Sequence, residues 1–435
     1  MQTPTSCHVM AKPTGSVCNI DCDYCFYLEK EKLYPDRQNN WRMSDETLEA
    51  YIKQTIEAQK NDHVQLTWQG GEPTLMGLAF FQQAVELCTK YAGKKTVEHS
   101  FQTNGLLLND DWCRFFKQHN FLVGLSIDGP ADLHDCHRKN RAGKPTHAKV
   151  MKAVELLKKN NVDFNTLTVV NRENVKYPER VYQFLKDIGS THIQFTPLIE
   201  REAREVKGDQ LRLVLPNETL ADVTEWSVPA RQYGEFLNAI FDQWVRKDIG
   251  RIYINMFDST LSSWFGENPN ICHFAQRCGH AFALEANGDL YNCDHYVYPE
   301  HLLGNIHEKS IEECNTSSQA IQFGKDKQET LNADCKRCKY KFACNGGCPK
   351  QRFAVSPNGL PNHNYFCQGY KLFFEHTATY MQEMCSLLKQ GRSPAELMWT
   401  LNYREPKTSA TKMSPIGRNS PCPCGSSQKY KRCCG

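Results

Sequence analysis

Nowhere in this 435-residue chain do about 18 apolar residues run together, so no segment suits a membrane-spanning helix. The start, MQTPTSCHVMAKPTG, lacks the basic segment followed by an apolar one that marks a secretory signal. A cytoplasmic protein is therefore expected, without a membrane partner. Charge of one sign is missing as well. Lys and Arg total 52 against 49 Asp and Glu, a formal net charge of +3. The basic residues are scattered rather than striped, which argues against a nucleic-acid substrate. Hydrophobic residues at 40% and charged residues at 23% describe a globular protein too long for one ordinary core, so two or three domains are expected.

What the chain has in excess is cysteine, at 21 residues. Reducing cytosol disfavours disulfides, so the natural use of so many thiols is metal binding. They also cluster, at 18–25, 272–293, 335–367 and 422–434. Cys7, Cys88, Cys113, Cys136, Cys314 and Cys385 stand apart and read as small buried side chains.

Between residues 7 and 250 short apolar runs alternate with amphipathic stretches. Strands are expected at 7–13, 63–69, 97–103, 121–128, 162–170 and 191–198. Helices are expected at 45–60, 78–92, 109–119, 146–160, 176–188 and 230–247, with Ser44 capping the first. This is an α/β pattern implying a parallel sheet with helices outside, open or closed into a barrel. Ligands of such sheets bind at the carboxyl ends of the strands. From about 255 to 385 the alternation stops, and a loop-rich domain held by metal rather than by a large apolar core is expected. Residues 391–417 read as a polar linker, and 418–435 as a separate small unit.

The first cluster, CNIDCDYC, has CxxxCxxC spacing through Cys18, Cys22 and Cys25, directly after the first strand. Three thiolates on one loop can hold three corners of a four-iron cube and leave one iron open, as a catalytic metal requires. A zinc knuckle completed by a distant ligand is the alternative. The second expected strand ends in QGGEP (69–73), whose glycines permit close backbone approach.

CxxxCxxC with Tyr24 before its last cysteine, followed by QGGEP, resembles the radical SAM enzymes. That resemblance implies a partial (β/α)6 barrel over 1–250 and a [4Fe-4S] cluster whose open iron binds S-adenosylmethionine. It implies Tyr24, Gly70, Gly71, Glu72, Ser126, Arg138 and Leu198 as contacts of that cosubstrate, Arg138 pairing with its carboxylate.

Downstream, Cys272, Cys278, Cys293, Cys335, Cys338, Cys344, Cys348 and Cys367 give eight thiols, enough for two four-cysteine clusters or for one site with spare thiols. Their spacing, with Gly288 between the second and third, resembles the SPASM extension of radical SAM peptide-modifying enzymes, expected over 251–390. The resemblance implies crossed ligation. Cys272, Cys278, Cys293 and Cys348 would hold one auxiliary cluster, and Cys335, Cys338, Cys344 and Cys367 the other, making three [4Fe-4S] clusters in all.

Asp294 follows Cys293 in YNCDHY, where a fixed carboxylate is either a general base or an Asx turn. CNIDCDYCFYLEK, TWQGGEPTL, SFQTNG, LSIDGP and CNGGCPK are most similar to the anaerobic sulfatase-maturating enzymes. These motifs imply that Asp294 is the proton acceptor. The implied reaction converts a Cys or Ser of an unfolded or nascent sulfatase polypeptide to Cα-formylglycine. A 5′-deoxyadenosyl radical takes hydrogen from the β-carbon, with a flavodoxin or ferredoxin as electron donor. Another SPASM-type maturase, forming thioether or carbon–carbon crosslinks, is the alternative. Finally, Cys422, Cys424, Cys433 and Cys434 in PCPCGSSQKYKRCCG suit tetrahedral zinc. This tail resembles the SEC-C motif, which implies contact with a secretion chaperone or the ribosome.

Overall fold

The computed structural model describes residues 6–33, 41–206, 211–214, 217, 218, 220–404, 428 and 432. Six βα units alternate in order. They are β1 (His8–Lys12), α1 (Asp45–Ala58), β2 (His63–Trp68), α2 (Leu78–Tyr91), β3 (Thr96–Thr103) and α3 (Asp110–Gln118), then β4 (Leu122–Ser126), α4 (His147–Lys159), β5 (Phe164–Val170), α5 (Pro178–Asp187), β6 (His192–Pro197) and α6 (Ala230–Lys247). Every expected strand and helix of this half forms within a few residues of its expected bounds. Ser44 caps α1, its hydroxyl accepting from the Thr47 amide at 3.1 Å.

Strands β7 (Tyr253–Ile254), β8 (Ala281–Glu285), β9 (Asp289–Tyr291) and β10 (Leu302–Asn305) complete a ten-stranded sheet. Its order is β7-β6-β5-β4-β3-β2-β1-β8-β9-β10, parallel from β7 to β8 and antiparallel thereafter. β1 and β6 are not neighbours, so the six-stranded unit is open. The join at β1 positions the site. β1 pairs with β8 over its whole length, His8 facing Ala281 and Lys12 facing Glu285. The loop after β1 and the cysteine segment after β9 thus grow from adjacent strands of one sheet.

The second half departs from the expectation of a domain held by metal alone. A 23-residue helix, Cys367–Lys389, buries Tyr370, Phe373, Phe374, Met381 and Met384. These side chains belong to one contiguous core with Phe241 and Phe257 and with the sheet. Burial of a Phe or Met stabilises by about 1.5–3 kcal/mol each, so apolar packing contributes heavily here too. Part of the expected linker is also ordered. Glu396–Arg404 is a helix whose Leu397 is 1% exposed. Cys7, Cys88, Cys113, Cys314 and Cys385 are buried as expected, but Cys136 is exposed. It follows a four-residue helix, Ala131–His134, at the surface, where its thiol donates to the Asp132 carbonyl. No helix among the described residues is long and apolar enough to cross a membrane.

Candidate active site between two cysteine-bearing loops

The QGGEP stretch is stitched to the backbone that leads into CNIDCDYC. Gln69 N donates to Ala11 O (2.9 Å), Gly71 N to Gly15 O (2.8 Å) and Glu72 N to Val17 O (3.0 Å). The approach is so close that a Cβ on Gly71 would lie 1.9 Å from the Val17 carbonyl oxygen. Gly70 has φ +131°, a conformation that side chains disfavour. Glu72 is buried and accepts from Thr74 N (3.1 Å), Thr74 Oγ1 (2.6 Å), Thr103 Oγ1 (2.7 Å) and Asn104 N (2.8 Å). Burial raises its carboxyl above the ordinary range, and these four donors oppose that shift. Asn104 carries the connection onward, its amide lying 3.7 Å from Cys18 Sγ. Glu72 therefore ties the end of β3 to the first thiol.

The middle of the cysteine loop forms a short ribbon, Ile20–Cys22 against Arg138–Asn140, with Cys22 opposite Arg138. Arg138 Nε donates to Asp128 Oδ2 at 2.9 Å, and the buried Tyr24 hydroxyl donates to the same oxygen. Val169 N, on β5, donates to Asp128 Oδ1 at 3.0 Å. Leu198 packs with Cys18, Ile20, Cys22 and Tyr24. Ser126 ends β4 and accepts from Gln102 at 2.9 Å. Cys22 and Cys25 open on a cleft of about 670 Å³ whose walls include Asp21, Asp23, Glu29, Arg172, Glu225 and Trp226. Burial, then Glu72, pushes the Cys18 thiol up to about 12, and burial raises Cys22 and Cys25 as well. Such thiols ionise only against a cation, which is how an iron ligand behaves. The residues expected from the sequence thus gather around one loop. Asp128, which anchors Arg138 and Tyr24 together, was missed. Its signal was LSIDG itself, an acid at the carboxyl end of a strand.

Across the sheet join, the remaining thiols fall into two groups. Cys272, Cys278 and Cys293 each feel Cys348 as an electrostatic neighbour. Cys344 feels Cys367, Cys335 and Cys338, and Cys367 feels Cys335 and Cys338. These are the two crossed sets. Among the described residues, no three His, Cys, Asp or Glu side chains converge on a point that a single ion would fill. A four-iron cube gives each thiolate its own iron, so its ligands stand apart.

Asp294 opens a turn of 3-10 helix directly after Cys293. Burial alone would raise its carboxyl, but His295, Lys12, the Cys293 thiol and Lys350 together hold it below the usual carboxylate range. These partners come from both halves of the molecule. Lys12 ends β1 and lies over the Tyr27 ring, 3.7 Å from its centroid. Tyr27 donates to Glu285, the last residue of β8. His295 stacks on Phe26 at 5.1 Å, and Lys350, 4.2 Å from the centre of that ring, donates to Glu200 at 2.6 Å. Lys30 is buried 3.0 Å from the centre of the Tyr298 ring. Burial, with Lys350 nearby, pushes its ammonium down to about 6. None of these lysines was singled out from the sequence, although Lys12 stands at the carboxyl end of the first expected strand. Cys422, Cys424, Cys433 and Cys434 lie outside the described residues.

Known proteins match this arrangement along most of its length. The sequence model of the Radical SAM superfamily matches residues 13–185, that of an iron–sulfur cluster-binding domain, SPASM, 272–339, and that of the SEC-C motif 418–435. The serine-type anaerobic sulfatase-maturating enzyme of Bacteroides thetaiotaomicron is 45% identical over 91% of this chain and 95% of its own. The cysteine-type enzyme of Clostridium perfringens (strain ATCC 13124) is 34% identical over 85% and 95%. Among solved structures, native anSMEcpe with bound AdoMet and Cp18Cys peptide superposes with a TM-score of 0.75. It is 33% identical and covers 87% of this chain and 98% of that one.

Proposed function

Because this chain belongs to the anaerobic sulfatase-maturating enzymes, a branch of the radical SAM superfamily, we propose that it oxidises a Cys or Ser of a sulfatase polypeptide to Cα-formylglycine. The observation that carries the proposal is the placement of Asp294. It is a half-buried carboxylate, held low by His295, Lys12 and Lys350, and the next residue, His295, stacks on Phe26, which follows Cys25.

The thiols fit the groups the reaction needs. Cys18, Cys22 and Cys25 would hold a [4Fe-4S] cluster with one open iron. Cys272, Cys278, Cys293 and Cys348 would hold a second cluster, and Cys335, Cys338, Cys344 and Cys367 a third. Bound together, the first cluster and S-adenosylmethionine supply the 5′-deoxyadenosyl radical that takes a hydrogen atom from the substrate β-carbon. The chain's own residues do the rest. Tyr24, Asp128 and Leu198 shape the wall around the first thiols. Gly70, Gly71, Glu72 and Ser126 line up the strand ends against which the cosubstrate would lie. Arg138 keeps its terminal nitrogens for the cosubstrate carboxylate, its Nε being committed to Asp128. Asp294 accepts the thiol or hydroxyl proton, and Lys12 and His295 favour its ionised form. The SEC-C tail would bind zinc through its four cysteines and meet the sulfatase or its carrier.

The test is anaerobic reconstitution with paired Cys and Ser peptides, following 5′-deoxyadenosine and peptide mass. At least one of the two peptides should yield the aldehyde. Asp294→Asn should still cleave the cosubstrate while aldehyde formation falls about 100-fold or more. A crosslinked product, or an unchanged aldehyde yield in the variant, would overturn the assignment.

A further inference from the structure

Forming the aldehyde removes a hydrogen atom, a proton and one further electron from the substrate. The proton goes to Asp294, and the electron has to leave the site. Asp294 adjoins Cys293, which has Cys348 and Cys272 as electrostatic neighbours. Cys348, of the Cys293 set, and Cys344, of the other set, sit at the two ends of the five-residue CNGGC loop. Around that outer set lies a cationic collar, exposed except at the half-buried Lys341. CKRCKYKFAC (335–344) alone carries Lys336, Arg337, Lys339 and Lys341. Lys371 comes from the long helix, close enough to oppose the burial that raises the Cys335 and Cys367 thiols. Among the described residues, two of these cations have a carboxylate partner, Arg337 with Asp334 (3.2 Å) and Lys339 with Glu375 (2.8 Å). Next to Lys341 on the chain, Phe342 is 50% exposed and packs edge-on against Trp264, ring centroids 4.7 Å apart. That is the anatomy of an interface anchor with a polar rim.

The cleft beside Cys22 and Cys25 has the opposite character. Asp21, Asp23, Glu29, Glu173 and Glu225 line it, against Arg172, Arg212 and His137. An acidic protein is repelled at that mouth and attracted at the collar. We propose that the Lys336–Lys371 collar is the docking surface for an acidic one-electron carrier protein of the flavodoxin class. The carrier takes up the electron released by each substrate oxidation, on a face separate from the substrate cleft. One electron crosses and no atom moves, so the carrier leaves reduced by one; the electron consumed in cleaving the cosubstrate is supplied separately by a low-potential one-electron reductant before each turnover. This inference rests on the oxidation proposed above. It adds that carrier and substrate peptide bind at the same time.

The experiment uses the reconstituted full chain and an oxidised acidic flavodoxin as probe. Fluorescence anisotropy should show binding that weakens with salt. The double variant Lys336→Glu/Lys341→Glu should weaken it about tenfold or more, a loss of about 1.4 kcal/mol per decade. Flavodoxin semiquinone formed in a single turnover of protein reduced beforehand and freed of excess reductant should slow in parallel. Dithionite-driven aldehyde yield and iron content should match the unaltered protein, which separates lost docking from lost folding. Lys371→Glu, outside the cysteine loop, provides a second variant. Unchanged flavodoxin affinity in both variants would overturn the docking site. So would competition by saturating peptide, or an oligonucleotide that binds the collar where flavodoxin does not. Absence of aldehyde under dithionite would instead count against the oxidation itself.

Discussion

At residue 71 even one methyl group would overlap the Val17 carbonyl, so Gly71 holds its place through backbone packing. The sequence suggests a different emphasis, since glycines after a strand read as room for a ligand. The amides of Gln69, Gly71 itself and Glu72 are all bonded to the facing 11–17 backbone, which leaves the loop little freedom to yield. Gly71→Ala should therefore destabilise the protein by about 3 kcal/mol or more, the upper range for overpacking a filled site. The damage should be local. Iron held by the Cys18 loop should be lost, seen by iron assay and absorption after reconstitution, while the two downstream thiol sets retain theirs. Full iron loading in the variant would mean that the 13–17 backbone gives way. Glu72 teaches the same lesson. Its place in the motif was visible, but its partners, Thr74, Thr103 and Asn104, are known only once β2 and β3 lie side by side.

Between elements, the Arg138–Asp128 pair joins three pieces, namely the ribbon opposite Cys22, the end of β4 and the start of the turn beyond it. Both side chains are nearly inaccessible, at 7% and 0% exposure. Removing one partner strands the other, at a cost of about 3–5 kcal/mol. Arg138→Met should thus lower the urea midpoint and reduce cosubstrate affinity together. Asp128→Asn/Arg138→Met should recover part of the stability but not the affinity. If affinity fell without any change in stability, Arg138 would act on the cosubstrate alone. At this scale the sequence is most readable in its first half. Helix and strand periods there are undisturbed, and each apolar face meets a neighbour of the same repeating kind. Beyond residue 250 that rule fails. Strands of two to five residues carry no measurable period, and β8 pairs with β1, some 270 positions earlier. The long helix that starts at Cys367 was hidden by its first residue, which reads as a ligand before it reads as a helix start.

Over the whole molecule, one sheet fixes the distance between the three-cysteine loop and Asp294, and one apolar core runs through both halves. The chemistry proposed for this protein needs nothing beyond that body. Its last required thiol, Cys367, opens a helix ending at Lys389, and Glu396–Arg404 closes against the same core through Leu397. The SEC-C match, residues 418–435, carries four cysteines of its own. An enzyme acting on a short peptide has no use for a second grip. One acting on a full-length chain before it folds gains effective concentration from a second contact, by mass action rather than by any change at the active site. Deleting residues 415–435 should therefore leave turnover of a short Ser or Cys peptide within about twofold, and lower turnover of full-length unfolded sulfatase about tenfold at limiting concentration. Bound zinc should fall by one ion per chain, with iron unchanged. Equal losses on peptide and full-length substrate would place the tail within the catalytic body. Equal retention on both would leave it without a role in substrate capture.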